Sequence, residues 1–122
     1  MKTTVRIESF DETRKRVLER ARKLDRKERI EPEKTITFES PLDFLEVVTE
    51  ERVRLCKAAR EQNYSVTALA KALDRNPRAV RTDIRKLQKH GLLRLRKETN
   101  PGHGTRQIVE AVAKKFKLRA HF

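Results

Sequence analysis

The apolar periodicity of this chain breaks at Asp74-Arg75-Asn76-Pro77 and restarts at once, and no other feature limits the possible folds as sharply. Before the break, Ser65 is a good N-cap, and Val66, Leu69, Ala70 and Leu73 follow at helical spacing as one apolar stripe. After it, Asn76 can cap a new helix with Pro77 in its first position, where a missing N–H costs nothing. In that second helix, over residues 77–90, Val80, Ile84 and Leu87 fall at i, i+4, i+7, and Gly91 supplies a left-handed stop. The opposite face carries Arg78, Arg81, Thr82 and Arg85 at i, i+3, i+4, i+7, with Lys86 and Lys89 beside them. Two short helices joined by a tight turn are expected, one face of the second packing and the other cationic. A helical hairpin whose arginines are merely solvated is the plainer alternative.

The small Ala70 sits where a helix crossing at a steep angle needs close approach. Ser65-Val66-Thr67-Ala68-Leu69-Ala70-Lys71-Ala72-Leu73, then residues 76–87, then Gly91-Leu92-Leu93, resemble the winged helix-turn-helix of MarR-like and ArsR-like regulators. The resemblance implies an α+β, mainly helical fold: a winged helix-turn-helix with an N-terminal helix and short flanking strands. It also implies binding of double-stranded DNA. The order of the remaining parts is similar to that of small antitoxin-like proteins of the TumE-TumA type. That likeness implies a protein that neutralises a cognate toxin and represses its own operon.

Charge distribution points the same way. The formal net charge is +13, with 40% charged and 5% aromatic residues. Residues 1–62 hold 16 basic and 14 acidic side chains, a net of +2, whereas residues 63–122 hold 15 and 4, a net of +11. Nearly all the excess lies with the second helix, and a polyanion is its natural partner because each phosphate neutralised releases counterions. Few aromatics leave few stacking platforms for single-stranded RNA. A nonspecific nucleic-acid protein fits the charge as well as a specific reader does.

The single Cys56 excludes an intrachain disulfide and fits a reducing compartment. No apolar run approaches the ~18 residues of a membrane span, and the first residues lack a signal-like apolar segment. A cytoplasmic protein without membrane contact is expected. Three dispersed histidines, His90, His103 and His121, and no Cys/His pairing at ligand spacing argue against a metal, a cofactor or an enzyme.

In chain order, residues 3–8 alternate as a short strand, and Ser9-Phe10-Asp11-Glu12 forms a capping box opening a helix to about residue 29. The narrow seam of Val17, Leu18, Ala21 and Leu24 suits one neighbour: its own domain, or a dimer or partner protein. Residues 35–39 read as a second strand. Ser40 with Pro41 opens a helix over Leu42, Phe44, Leu45 and Val48, and Thr49 caps another whose buried side is Val53, Cys56 and Ala59 with Leu55 nearby. Residues 92–99 alternate, residues 100–104 are a turn, and residues 105–109 return as the antiparallel partner, where a wing belongs. Residues 110–115 read as one helical turn, and residues 116–122 alternate as a last strand whose partner the pattern leaves open.

The division expected is 1–39, a strand-helix-strand arm for dimerisation or partner binding; 40–110, the DNA-binding domain; and 111–122, a closing strand. Arginine can fork onto guanine in the major groove, so Arg78, Arg81, Thr82 and Arg85 are assigned to bases. Asn76 joins them, with a backbone contact as its alternative. Ser65, Thr67, Lys86, Lys89, His103, Thr105 and Arg106 are assigned to the DNA backbone. A homodimer is expected, because one such helix reads few base pairs and two-fold pairs on palindromic half-sites are the common solution.

Overall fold

Eleven elements follow one another in the computed structural model, which describes residues 2–99, 101, 102, 104–112 and 116–120. They divide into two compact units, Met1–Glu46 with Lys115–Phe122, and Val47–Lys114.

The first unit is a parallel sheet with a helical crossover. Strand β1 (Lys2–Ile7) is central, flanked by β2 (Glu33–Phe38) and β6 (Phe116–Ala120), both parallel to it. The last strand thus pairs with the N-terminal one, which sequence periodicity had no means of choosing. Residues opposite one another in a parallel pair share a face, so Val5, Ile7, Ile36 and Phe38 line one side and are buried. Thr4, Arg6, Glu33, Thr35 and Thr37 lie on the other. Helix α1 (Phe10–Asp25) connects β1 to β2, and its Arg16, Val17, Arg20, Ala21 and Leu24 line a groove with Glu33, Thr35 and Thr37. Parallel strands require such a crossover because a tight hairpin cannot return the chain in the same direction.

Polar contacts tie α1 down. Glu8 accepts hydrogen bonds from Arg16 Nε at 3.0 Å, Arg16 Nη2 at 2.7 Å and Thr13 Oγ1 at 3.0 Å. Burial pushes the Glu8 carboxyl up, but Arg16 and Thr13 more than offset this and hold it below its usual 4.5. Arg6 pairs with Glu33 at 3.3 Å. No residue of α1 is buried, so the seam expected to pack is left open to solvent. The helix also stops four residues before the expected 29. Lys27 turns left-handed at φ 59°, and its N–H and that of Glu28 close on Leu24 O and Lys23 O. Ser40 caps α2 (Pro41–Val47), whose Phe44 packs edge-on to Phe38 at 5.6 Å between centroids.

The second unit contains α3 (Glu50–Glu61), β3 (Tyr64–Ser65), α4 (Val66–Ala72), α5 (Pro77–Lys89), β4 (Leu93–Thr99) and β5 (Thr105–Ala111). Its antiparallel sheet has the order β3-β5-β4. Tyr64 and Ser65 form a two-residue strand against Val109 and Ile108, too short to show any alternation in sequence. Two sequence expectations are corrected here. Glu110 and Ala111 continue β5 rather than turning as a helix, because they pair with Arg94 and Leu93; residues 113–115 of that expected turn lie outside the described residues. In α3 the buried side is Leu55 and Ala59, while Val53 is exposed. Cys56 lies at the margin of that side, and burial pushes its thiol up to about 11. The core gathers Leu55, Leu69, Val80, Ile84, Leu87, Leu93 and Val109, each 2% exposed or less.

Candidate nucleic-acid interface

Helix, turn, helix and antiparallel hairpin follow in one run: α4, residues 73–76, α5, then β4 and β5. This is a winged helix-turn-helix within an α+β fold, as the resemblance implied. The turn is built by backbone hydrogen bonds. Ser65 Oγ accepts from Ala68 N at 3.2 Å and caps α4, and Leu73 ends it. Asp74 then takes φ 51°, and the N–H groups of Asp74 and Arg75 bond back to Lys71 O and Ala70 O. Asn76 Oδ1 accepts from Arg78 N at 2.8 Å, and Pro77 stands in the first turn of α5. That oxygen is therefore committed to the cap, so toward a base Asn76 has its amide N–H groups to offer.

Val80, Ile84 and Leu87 on α5 are each 1% exposed or less, and they pack the helix into the unit. Arg78, Arg81, Thr82 and Arg85 are all exposed on the other side, as are Lys86 and Lys89. The guanidinium groups of Arg78, Arg81 and Arg85 make no hydrogen bond or ion pair with any described residue, and neither do the ammonium groups of Lys86 and Lys89. Arg78 and Arg85 stand about 10 Å apart along the axis at 1.5 Å per residue, the length of roughly three base pairs. Thr82 Oγ1 donates to Arg78 O at 3.1 Å, which leaves its lone pairs outward.

Sequence reasoning overlooked Asp83. It lies in the packed stripe of α5 and is 7% exposed. Arg52 Nε of α3 donates to Asp83 Oδ1 at 3.0 Å, and Arg75 Nη1 of the turn stands 2.8 Å from Oδ2. Arg52 Nη1 also donates to Val47 O at 2.9 Å, and Arg75 Nη2 reaches Glu51 at 3.3 Å. The one acid of α5 is thereby withdrawn from the cationic face and spent on fixing the helix to α3 and to the turn. The available signal was an aspartate at i+3 from Val80 within an otherwise apolar stripe, with Arg75 just before the helix.

The wing is β4 and β5, paired from Leu93↔Ala111 to Thr99↔Thr105. Gly102 and Gly104 take φ 80° and 78° in its loop. Thr105 and Arg106 are exposed at the tip, and Arg106 Nη2 lies 3.5 Å from Glu98. His103, also assigned to the backbone from sequence, lies outside the described residues. Glu110 accepts from Arg96 Nε at 2.6 Å and Arg94 Nε at 2.8 Å, and these bonds hold its carboxyl below the usual range. The stem arginines are thus neutralised within the wing, while those of α5 are not. Ser65 is half-buried and Thr67 exposed at the start of α4.

Among the described residues no group of three His, Cys, Asp or Glu is placed to hold a metal ion, and no helix is long and apolar enough to cross a membrane.

No curated protein matches the sequence. Among solved structures, the homodimeric winged helix-turn-helix DNA-binding domain Mb0332 from Mycobacterium bovis, a possible ArsR-family transcriptional regulator, is similar at 23% identity. It covers 54% of this chain and 56% of its own, with a TM-score of 0.48. A possible transcriptional regulator from Methanosarcina mazei Go1 is 20% identical over 55% and 58% of the two chains, with a TM-score of 0.48. The adhesin competence repressor of Streptococcus pyogenes is 19% identical over 81% of this chain and 61% of that one, again at 0.48. This chain therefore spans little more than half the length of the first two. The family described as HVO_A0114 matches residues 47–112, more than half of the 122 residues and all of the run from α3 through the wing, and the chain belongs to that family.

Proposed function

We propose that this protein is a sequence-specific double-stranded DNA-binding transcriptional regulator, a repressor that acts as a homodimer on two half-sites. Helix α5 enters the major groove. Arg78, Arg81 and Arg85 reach base edges, with Thr82 and Asn76 beside them. Lys86, Lys89, Ser65, Thr67, Thr105, Arg106 and His103 hold phosphates. The observation that carries this reading is the asymmetry of α5: its arginines face outward with no partner among the described residues, whereas its only acid is buried under Arg52 and Arg75. A helix stabilised for its own sake would pair those charges on its surface, since i,i+4 acids are the usual support of an exposed basic helix.

The test is selection of bound sequences from random duplex DNA at physiological salt, followed by titration of variants on the selected and on scrambled duplexes. Arg81→Ala is expected to cost ~1–3 kcal/mol on the selected sequence and to relax its preference, whereas Lys89→Ala weakens binding to every duplex alike. Equal losses from both variants on all duplexes would overturn the assignment of α5 to base reading. Failure to enrich any sequence would leave only nonspecific binding.

A second reading, an antitoxin that neutralises a cognate toxin and regulates its own operon, is favoured by apolar side chains left exposed on α2, Leu42 at 73% and Leu45 at 59%. Co-expression with the product of the adjacent gene tests it. A stable complex lost on Leu42→Glu and Leu45→Glu supports the antitoxin, and a chain that purifies without that product rejects it.

A further inference from the structure

We propose that one face of the β4–β5 hairpin, the face of Lys97, Thr99 and Gln107, lies along the sugar-phosphate backbone of the duplex, and that Lys97 and Gln107 hold one phosphate together. This rests on the DNA reading and extends it from the helix and the wing tip to the shaft of the wing, whose two faces differ in kind.

Strand alternation sorts the side chains. In the register Leu93↔Ala111, Leu95↔Val109, Lys97↔Gln107 and Thr99↔Thr105, odd-numbered residues share one face of the hairpin and even-numbered residues the other. On the even face, Arg94 and Arg96 donate to Glu110, Arg96 also stands 3.5 Å from Glu98, and Arg106 closes the ladder at 3.5 Å from the same carboxylate. A phosphate arriving there meets two carboxylates and must draw an arginine away from one of them. The odd face carries no acid. Its Lys97 and Gln107 are exposed, and neither side chain makes a hydrogen bond or ion pair with any described residue. Residues directly opposite in an antiparallel pair have Cβ atoms about 5 Å apart, so the Lys97 ammonium and the Gln107 amide N–H can close on a single phosphate.

The odd face also points the right way. Leu93 and Val109 share the core with Val80, Ile84 and Leu87, and α5 packs on β4. The odd face therefore looks toward α5, and the outer side of α5, with Arg78, Arg81 and Arg85, looks in the same direction beyond it. Burial fades outward along this face: Leu93 is buried, Leu95 half-buried, and Lys97 and Thr99 exposed. Past Leu95 the hairpin overhangs the helix, so its side chains face what the arginines of α5 face. Lys97 lies about 13 Å along β4 from Leu93 at ~3.3 Å per residue, which sets its phosphate on the flank of the base pairs that α5 reads. Arg106, on the even face near the loop, can join only from the tip.

Fluorescence anisotropy on the full chain tests this, with the selected duplex and a scrambled one at a series of salt concentrations and circular dichroism confirming that each variant is folded. Lys97→Ala is expected to weaken binding about five- to tenfold on both duplexes alike and to reduce the salt slope by about 1. Gln107→Ala, which removes no charge, should weaken both about threefold at an unchanged slope. Arg96→Ala, beside Lys97 but on the other face, should keep the wild-type slope. A wild-type slope for Lys97→Ala, an equal loss of slope in Arg96→Ala, or wild-type binding by Gln107→Ala would each overturn the placement of this face on the duplex. If Arg81→Ala still loses sequence preference while Lys97→Ala changes nothing, the wing face alone is wrong and the reading by α5 stands. If Arg81→Ala also behaves as wild type, both fall.

Discussion

Asp83 shows how much one residue can decide. Its carboxylate is buried between two guanidinium groups from different elements, so removing it leaves Arg52 and Arg75 close together without their shared counter-charge. Breaking a buried ion pair from one side costs more than forming it gains, because the remaining charges cannot recover their water. Asp83→Ala is expected to lower stability by about 3 kcal/mol in urea unfolding. Arg54→Ala, which removes only the exposed pair with Glu50, should change it by less than about 0.5 kcal/mol. Similar losses for both would mean that Asp83 does not anchor α5. Cys56 is the converse case. Its thiol is pushed up by burial, which fits a small apolar filler and not a nucleophile.

At the scale of elements, helix ends set the geometry of both units. Helix α5 closes with Leu92 N on Leu87 O and Gly91 N on Gln88 O, with Gly91 at φ 80°. The same closure ends α1 with Lys27 in the left-handed place, a conformation that costs a residue with a Cβ roughly 1 kcal/mol. Gly91→Ala should therefore lower stability by about 1 kcal/mol and Lys27→Gly raise it by about 0.5–1 kcal/mol, opposite shifts in thermal unfolding. The junction of β1 and α1 carries a pH dependence. The carboxyls of Glu8 and Glu33 are both held below their usual 4.5 in the folded chain, despite burial that pushes them up. A depressed folded value adds stability above pH 4.5 that is lost as pH falls through it. Amide exchange at β1 should accelerate below that pH, and Glu8→Gln should flatten the acid limb at the cost of stability at pH 7. An unchanged acid limb in that variant would assign the effect to other groups.

For the whole molecule, the uneven charge becomes an uneven surface. The wing's stem arginines are consumed by Glu110, and much of the positive charge of α1 is interleaved with acids, whereas the cations of α5 face outward with no partner among the described residues. DNA affinity should fall linearly with the logarithm of salt concentration, with a slope of about −0.9 per phosphate neutralised. Lys89→Ala should reduce that slope by about 1, while Arg94→Ala, already paired within the wing, should leave it nearly unchanged. Equal slopes for wild type and Lys89→Ala would remove Lys89 from the phosphate contacts.

Residue order alone determined the helix-turn-helix, because everything that defines it is local: the cap at Ser65, the stop at Asp74, the cap and proline at Asn76 and Pro77, and the glycine at Gly91 act within one or two helical turns. The outward arginines followed from the same 3.6-residue period once Val80, Ile84 and Leu87 were taken as the packed side. The β1–α1 arm was legible as elements but not as an assembly. Strand partners are chosen across long stretches of chain, and β1 pairs in parallel with strands more than 25 and 110 residues away. Nothing in the alternation of residues 116–120 specifies that partner. Asp83 was hidden for a related reason: an acid on an apolar stripe makes sense only when Arg52 and Arg75, from two other places in the chain, arrive beside it. The helical period put the one acid of α5 on its packed side, but only the tertiary structure supplied the Arg52 and Arg75 that let it stay there ionised, leaving positive charge alone on the outer face.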